Sequence, residues 1–232
     1  MSHFQQIREE ACEANRQLPA MGLVIFNFGN ASVADHKKGV FAIKPSGVPY
    51  NELRPKKMVI VDFDGKTVEG KLKPSSDTKT HAILYRNWKN VGAIVHTHSL
   101  YATAWAQAQR SIPIYGTTHA DHFAGPIPCA PAMTDELIRE DYEYQTGLQI
   151  INHLIDNNLG YEEIEMILVG SHAPFTWGRT AAKALYNSAV LESIARMAIL
   201  TEQINPGVST LKQALINKHF ERKHGPDAYY GQ

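Results

Sequence analysis

The chain has 232 residues, of which 44% are hydrophobic and 20% charged, a globular composition with enough apolar mass for one sizeable domain. Its twenty-three basic residues balance twenty-three acidic ones, so no net field gathers nucleic acid or an anionic membrane surface. No apolar run approaches the roughly 20 residues needed to span a bilayer, and the start of the chain lacks the basic-then-apolar pattern of a signal peptide. The expectation is a single cytoplasmic domain over residues 1–232. Cys12 and Cys129 fall outside any CxxC pair, which predicts reduced thiols packed as small hydrophobes.

In chain order, "HFQQIREEACEANRQ" places Phe4, Ile7, Ala11 and Ala14 at the period of an amphipathic helix. "GLVIFNFGNASVAD" reads as a strand running into a turn at Gly29-Asn30, and "VFAIKPSG" as a short strand halted by Pro45 and Gly47. "KMVIVDFDGKTVEG" has β-branched residues on both sides of Asp64-Gly65, the signature of a hairpin. "PSSDTKTHAILYRNW" predicts a helix capped by Ser or Asp. "VGAIVHTHS" predicts a buried strand, "LYATAWAQAQR" a helix, and "EMILVGSH" a further strand. "TAAKALYNSAVLESIARMAILTEQI" carries small and apolar residues on more than one face, as a deeply packed helix does. "STLKQALINKHFERKH" forms a last helix stopped by Gly225-Pro226. The pattern implies an α/β layered sandwich: a central mixed, largely antiparallel sheet covered by helices.

His96 and His98 stand two apart in an apolar run. On a strand, such residues project from one face about 6.6 Å apart, close enough to converge on one ion. A buried imidazole without a partner is costly, and metal binding or core hydrogen bonding would each satisfy the pair. His172 follows a second apolar run and precedes Ala173-Pro174-Phe175, a rigid turn. Three imidazoles match the nitrogen set of a catalytic zinc that keeps a position open for water or substrate; cobalt, nickel and manganese sites also use imidazole. Asp77 is either a fourth, displaceable ligand or a helix cap.

"KPSG" joins Lys44, Ser46 and Gly47, and "KPSSD" sets Ser75 and Ser76 at a helix start, where free N–H groups attract anions. Beside a metal triad, these turns suggest a phosphorylated substrate. "GTTHADHFAG" adds His119, Asp121 and His122, with Asp121 either a general base or a turn cap. The tail "KHGPDAYYGQ" holds Tyr229 and Tyr230 where chain ends usually fray, so the pair either packs or supplies a catalytic phenol.

The runs "IKPSGV", "KPSSDT", "IVHTHS", "ATAWAQA", "GTTHAD", "YNSAVLES" and "NKHFERKHGPDAYYGQ" resemble, in this order, the class II, metal-dependent sugar-phosphate aldolases and epimerases. The likeness spans residues 8 to 232. It implies zinc, one ion per subunit, on His96, His98 and His172 with Asp77 as a nearby acidic ligand. It implies substrate contacts, chiefly to phosphate, from Gly29, Asn30, Ser46, Gly47, Ser75 and Ser76. It makes Asp121 and Tyr230 the acid/base groups, Tyr230 reaching into a neighbouring subunit of a cyclic homotetramer. Related epimerases carry "TWGN" where this chain has Asn27-Phe28-Gly29-Asn30, "HGPFAWG" where it has "HAPFTWG" from His172, and Tyr where it has His122.

Within that resemblance the "THAD" loop and Asp77 favour 4-epimerisation of a ketopentose phosphate by cleavage of C3–C4, rotation of the aldehyde and re-addition. The nearest rival is a class II aldolase that releases both fragments. A non-catalytic metal- or sugar-phosphate-binding protein is the rival from another class.

Overall fold

A computed structural model describes residues 3–226 together with Ala228 and Tyr229. The chain opens with helix α1 (Gln5–Ala20), followed by strands β1 (Asn30–Asp35), β2 (Val40–Ile43), β3 (Val59–Asp62) and β4 (Thr67–Glu69). Helix α2 (Thr78–Asn87) leads into β5 (Ala93–His96), α3 (Leu100–Gln107), α4 (Thr117–Ala120) and β6 (Cys129–Ala130). The remainder comprises α5 (Asp135–Asp156), α6 (Tyr161–Ile164), β7 (Met166–Val169), β8 (Pro174–Gly178), α7 (Ala181–Ile204) and α8 (Gln213–His224).

The strands form one sheet in the order β4-β3-β2-β1-β5-β8-β7-β6. Every pairing is antiparallel except β6 with β7, as the expected mixed sheet requires. Successive residues serve opposite apolar layers: Val40 and Ala42 pack on one side, Phe41 and Ile43 on the other, and Ile60, Ala93 and Val95 oppose Val59, Val61 and Ile94. A sheet buried on both faces needs apolar residues at every position, which is why these strands read as unbroken apolar runs. The first layer is closed by α1 through Ile7, Ala11, Cys12, Ala14 and Leu18. The second is closed by α2, α3 and α5, while α7 contributes Ala184 and Leu185 to one layer and Leu191, Ile194 and Ala195 to the other.

Buried Asn15 on α1 completes the sheet where β2 has already ended. Its side-chain amide donates to the Ala31 carbonyl at 2.8 Å and accepts from the Ala31 N–H at 2.9 Å. One side chain thereby satisfies both backbone groups of the residue after Asn30, which would otherwise be orphaned in the core.

Three expectations need correction. Residues 22–28 are not a strand: they form a loop with a turn in which Phe28 N–H reaches Ile25 O at 3.1 Å, and β1 begins at Asn30, where the turn was expected. The cause is Gly29, whose φ of 75° turns the chain and whose missing Cβ would lie 2.8 Å from the His96 carbonyl oxygen. The strand through His96 stops there rather than at Ser99, because β1 and β8 supply no partner beyond the pairs Asn30–His96 and His96–Phe175. The Ala173-Pro174-Phe175 segment is not a turn but the start of β8, with Pro174 at the first strand position, where its missing N–H is tolerated.

Helix α5 was not anticipated. Its periodicity is broken at Asp141 (φ −144°, ψ 82°). Two contacts from α2 clasp that break: Lys79 Nζ to Asp141 Oδ2 at 2.6 Å, and Thr80 Oγ1 donating to the Glu143 carbonyl at 2.5 Å. Just beyond it the helices touch at Gly147, where an added Cβ would collide with Ile83 Cγ2 and lie 3.1 Å from the Thr80 carbonyl oxygen. Gly147→Ala is therefore expected to destabilise the fold by about 1–3 kcal/mol through overpacking, as a lowered denaturant midpoint with unchanged slope.

Candidate active site

His96 is the last residue of β5, and its ring lies against Phe175 at a centroid distance of 4.2 Å and an interplanar angle of 17°. His98 lies in the loop between β5 and α3, anchored downstream by Glu192 of α7. That carboxylate accepts from the N–H groups of Tyr101 and Ala102, both at 2.9 Å, supplying the negative charge a helix N-terminus favours. His172 ends the tight turn joining β7 to β8, where its N–H reaches Val169 O at 3.0 Å and Ser171 takes a positive φ of 61°. The turn is tied to α3 by Ser171 N–H donating to Ala106 O at 2.8 Å.

The three rings converge, with centroid separations of 5.0 Å (His96–His98), 4.9 Å (His96–His172) and 5.3 Å (His98–His172). One ring nitrogen from each lies within 4.8 Å of the others. Burial, reinforced by mutual repulsion among the three, lowers the pKa of His98 to about 4 and that of His172 to about 3, so both are neutral with lone pairs available at pH 7. The nitrogens facing away already have partners: His96 Nδ1 meets Pro174 O at 3.0 Å and His172 Nδ1 meets Tyr142 Oη at 3.2 Å. That leaves both Nε2 atoms for the centre. Three converging ring nitrogens, with the outer nitrogens of His96 and His172 already partnered, fit a divalent metal.

Asp77 precedes α2 at the N-cap position, yet its side chain makes no capping bond. Its Oδ2 instead accepts from Asn30 Nδ2 at 2.6 Å. Burial would raise its pKa, but the surrounding imidazoles of His96, His81 and His172 and the Asn30 bond outweigh it and hold the carboxyl low. Asp77 thus stands beside the trio as an ionised group held by Asn30, outside the three-histidine set. Asn30, fully buried, also donates to Ser75 Oγ at 3.1 Å. Beneath them, fully buried His81 bonds Ser32 Oγ through Nδ1 at 2.7 Å, and burial drops its pKa to about 3.

The "KPSG" and "KPSSD" turns lie side by side. Ser46 N–H donates to Lys73 O at 2.9 Å, Ser75 N–H donates to Lys44 O at 3.0 Å, and Pro45 pairs with Pro74 in an antiparallel bridge. Ser46, Gly47 and Ser76 are exposed, and Ser75 is half-buried. Lys44 is buried, with its ammonium on the Asn27 carbonyl at 3.2 Å and 4.9 Å from the centre of the Tyr50 ring. Burial lowers its pKa, partly offset by Asp77. Among the described residues no carboxylate oxygen lies within 4 Å of this ammonium, so a bound anion would complete it. Gly29 is placed by its approach to His96 (φ 75°), and Phe28 beside it is exposed, its ring 6.4 Å from that of His98.

Asp121 sits apart, at the end of α4 under α8. It accepts from Arg222 Nε at 3.0 Å and Nη2 at 2.8 Å, and meets His219 Nδ1 at 2.9 Å. Among the described residues it has no hydrogen bond to the three clustered histidines. His119 and His122 belong to this region as structural groups: His119 Nε2 meets Gly125 O at 3.0 Å, and His122 Nε2 meets Tyr186 Oη at 2.7 Å. Tyr230 lies outside the described residues. Tyr142 was missed from sequence, since nothing in the spacing between residues 142 and 172 announces their contact.

Residues 9–199 match the family described as the Class II Aldolase and Adducin N-terminal domain, and the chain belongs to that family. It is 48% identical to the L-ribulose-5-phosphate 4-epimerase UlaF of Salmonella paratyphi A, over 99% of this chain and 100% of that one. The UlaF of Salmonella typhi matches to the same extent. Among solved structures, an L-fuculose 1-phosphate aldolase has the same fold, with a TM-score of 0.77 at 23% identity over 94% of this chain and 95% of that one. That of Glaciozyma antarctica PI12 follows at 0.76, with 17% identity and coverage of 97% and 84%.

The Asp121 cluster makes a pH-dependent prediction. Burial opposes ionisation of Asp121, but Arg222 and then His219 outweigh it and hold the carboxyl below its ordinary value. The ionised form therefore secures α8, fully so above the unfolded carboxylate pKa of about 3.9, and the contribution fades as pH falls through the depressed folded value. Hydrogen exchange should show α8 losing protection on acidification ahead of the central strands. Asp121→Asn should show the same loss at neutral pH. Equal protection of α8 in that variant would contradict the assignment.

Proposed function

We propose that this protein interconverts L-ribulose 5-phosphate and D-xylulose 5-phosphate, an epimerisation at C4 through cleavage and re-formation of the C3–C4 bond. The observation that carries the reading is the cluster of three converging imidazoles on the same end of the sheet as two phosphate-suited turns. Identity to the UlaF epimerases over the whole chain supports the substrate. The C4 hydrogen is not adjacent to the carbonyl and is not acidic, whereas opening C3–C4 lets the C2 carbonyl accept the electrons.

On this reading His96, His98 and His172 hold a divalent metal, zinc in our assignment, with Asp77 as a nearby acidic group. When bound, the metal supplies Lewis-acid polarisation of the ketose carbonyl. Lys44 with the Ser46-Gly47 and Ser75-Ser76 turns binds the phosphate, the buried ammonium gaining a directly bonded anion. Gly29 and Asn30 line the floor between the two, Asn30 keeping Asp77 oriented. The C4 hydroxyl must lose a proton as the bond opens, and the re-formed alkoxide must gain one from the opposite side. Asp121 and Tyr230 serve those two faces, each contributing on the order of 10²–10⁴-fold.

Asp121 and the imidazoles belong to separate clusters of one chain, so the reading includes a homotetramer whose sites lie between subunits. Each neighbour brings its acid/base group to the metal end of the next. The single domain spans residues 1–232, and the two free thiols, Cys12 and Cys129, suit a reducing cytoplasm.

Incubation with L-ribulose 5-phosphate should yield D-xylulose 5-phosphate with no accumulating free aldehyde; accumulation of free aldehyde would mark an aldolase instead. Exhaustive chelation should abolish turnover and added zinc should restore it. Full activity of the stripped protein would overturn the metal reading. Tyr230→Phe should lower turnover by about 10²–10⁴-fold while metal content and subunit assembly persist.

A further inference from the structure

A histidine that ligates a metal through one nitrogen depends on a partner at the other to fix its tautomer and ring orientation. For His96 that partner is the main-chain carbonyl of Pro174 at 3.0 Å, and the ring is further held against Phe175. Among the described residues His172 has no main-chain acceptor at its outer nitrogen, and Phe175 meets its ring only edge-on, with centroids 6.1 Å apart. It sits half-buried at the end of a turn, and its outer nitrogen meets a side chain, Tyr142 Oη, at 3.2 Å.

Tyr142 reaches it because α5 is broken at Asp141, one residue earlier. An unbroken helix would carry residue 142 on a different bearing. The break is held from outside: Lys79 binds the Asp141 carboxylate, Thr80 binds the Glu143 carbonyl, and Gly147 lets the two helices close. Asp77 immediately precedes α2, so one helix fixes both the acidic neighbour of the trio and the phenol behind its third member.

We infer that Tyr142 is a positioning residue for the metal site. Its Oη accepts the Nδ1–H of His172, which commits that imidazole to presenting Nε2 to the cation, and the Lys79–Asp141 clasp holds the phenol in place. The inference rests on the three-histidine reading of the proposed function.

The test titrates chelator-stripped protein with Zn2+ against a chromophoric competitor and records the visible spectrum of the Co2+ form. Tyr142→Phe is expected to weaken zinc binding by roughly 10–100-fold and to alter the Co2+ spectrum. The unfolding midpoint of its metal-free form should stay unchanged, and excess zinc should restore turnover. Lys79→Met should weaken binding by a smaller factor, and the double variant should bind no more weakly than Tyr142→Phe alone, since both act through one contact.

Failure of wild-type protein to bind zinc would remove the metal reading, and this inference with it. Wild-type binding with unchanged affinity in Tyr142→Phe would overturn the inference alone. So would normal zinc affinity with turnover that excess zinc does not restore, since the phenol would then be acting on substrate. Should Tyr142→Phe not fold, Lys79→Met carries the test, and unchanged affinity there overturns it.

Discussion

The ladder joining β1, β5 and β8 stops at a common rung, where Asn30 faces His96 and His96 faces Phe175. Beyond it, residues 97–99 and 171–173 have no strand to pair with and must be held by other means. The Glu192 carboxylate on the start of α3, the bond from Ser171 to Ala106, and the contact of Gly29 with His96 provide that. Strand ends are where side chains from different parts of a chain meet without competing for sheet hydrogen bonds. His96 and His98 share one space with the sequence-distant His172 because three strands end at one level.

The electrostatics of that end follow from burial. His98 and His172 lose their charged forms to desolvation and to the neighbouring imidazoles, which leaves neutral nitrogen donors. Lys44, also buried, has carbonyl and aromatic partners, and among the described residues no carboxylate oxygen lies within 4 Å of its ammonium, although Asp77 acts on it at longer range. Asp121 is the opposite case: its charge is retained because Arg222 and His219 enclose it. The molecule thus keeps its clustered imidazoles and buried ammonium apart from a carboxylate already neutralised by its own chain.

Much of this was legible in the sequence, though not always for the stated reason. His96 and His98 were expected to converge as alternate residues of one strand, yet His98 lies past its end and reaches the centre through a loop. The sandwich and its antiparallel character followed from apolar runs and the Asp64-Gly65 turn, while β8 was hidden by Pro174, which looks like a breaker unless it opens a strand. Helix α5 was hidden because its axis changes at Asp141, a break stabilised by α2 more than sixty residues earlier. Ile25, Phe26 and Phe28 mimic a strand pattern although all three are exposed in the loop before Gly29. Local residues suggested an anion at the KPSG and KPSSD turns. Joining them to the Asp121 loop in one site is what the whole motif order implies, since within one chain Asp121 is held by Arg222 and His219 away from the imidazoles.

The amide of Asn15 also acts as a register pin. Because it meets the N–H and C=O of a single residue, α1 cannot slide along the sheet by even one position without stranding both groups in apolar surroundings. The opening helix is indexed to Ala31, and through it to the rung on which Asn30 and His96 stand. A side chain far from any chemistry therefore sets the zero mark from which the reactive end is measured.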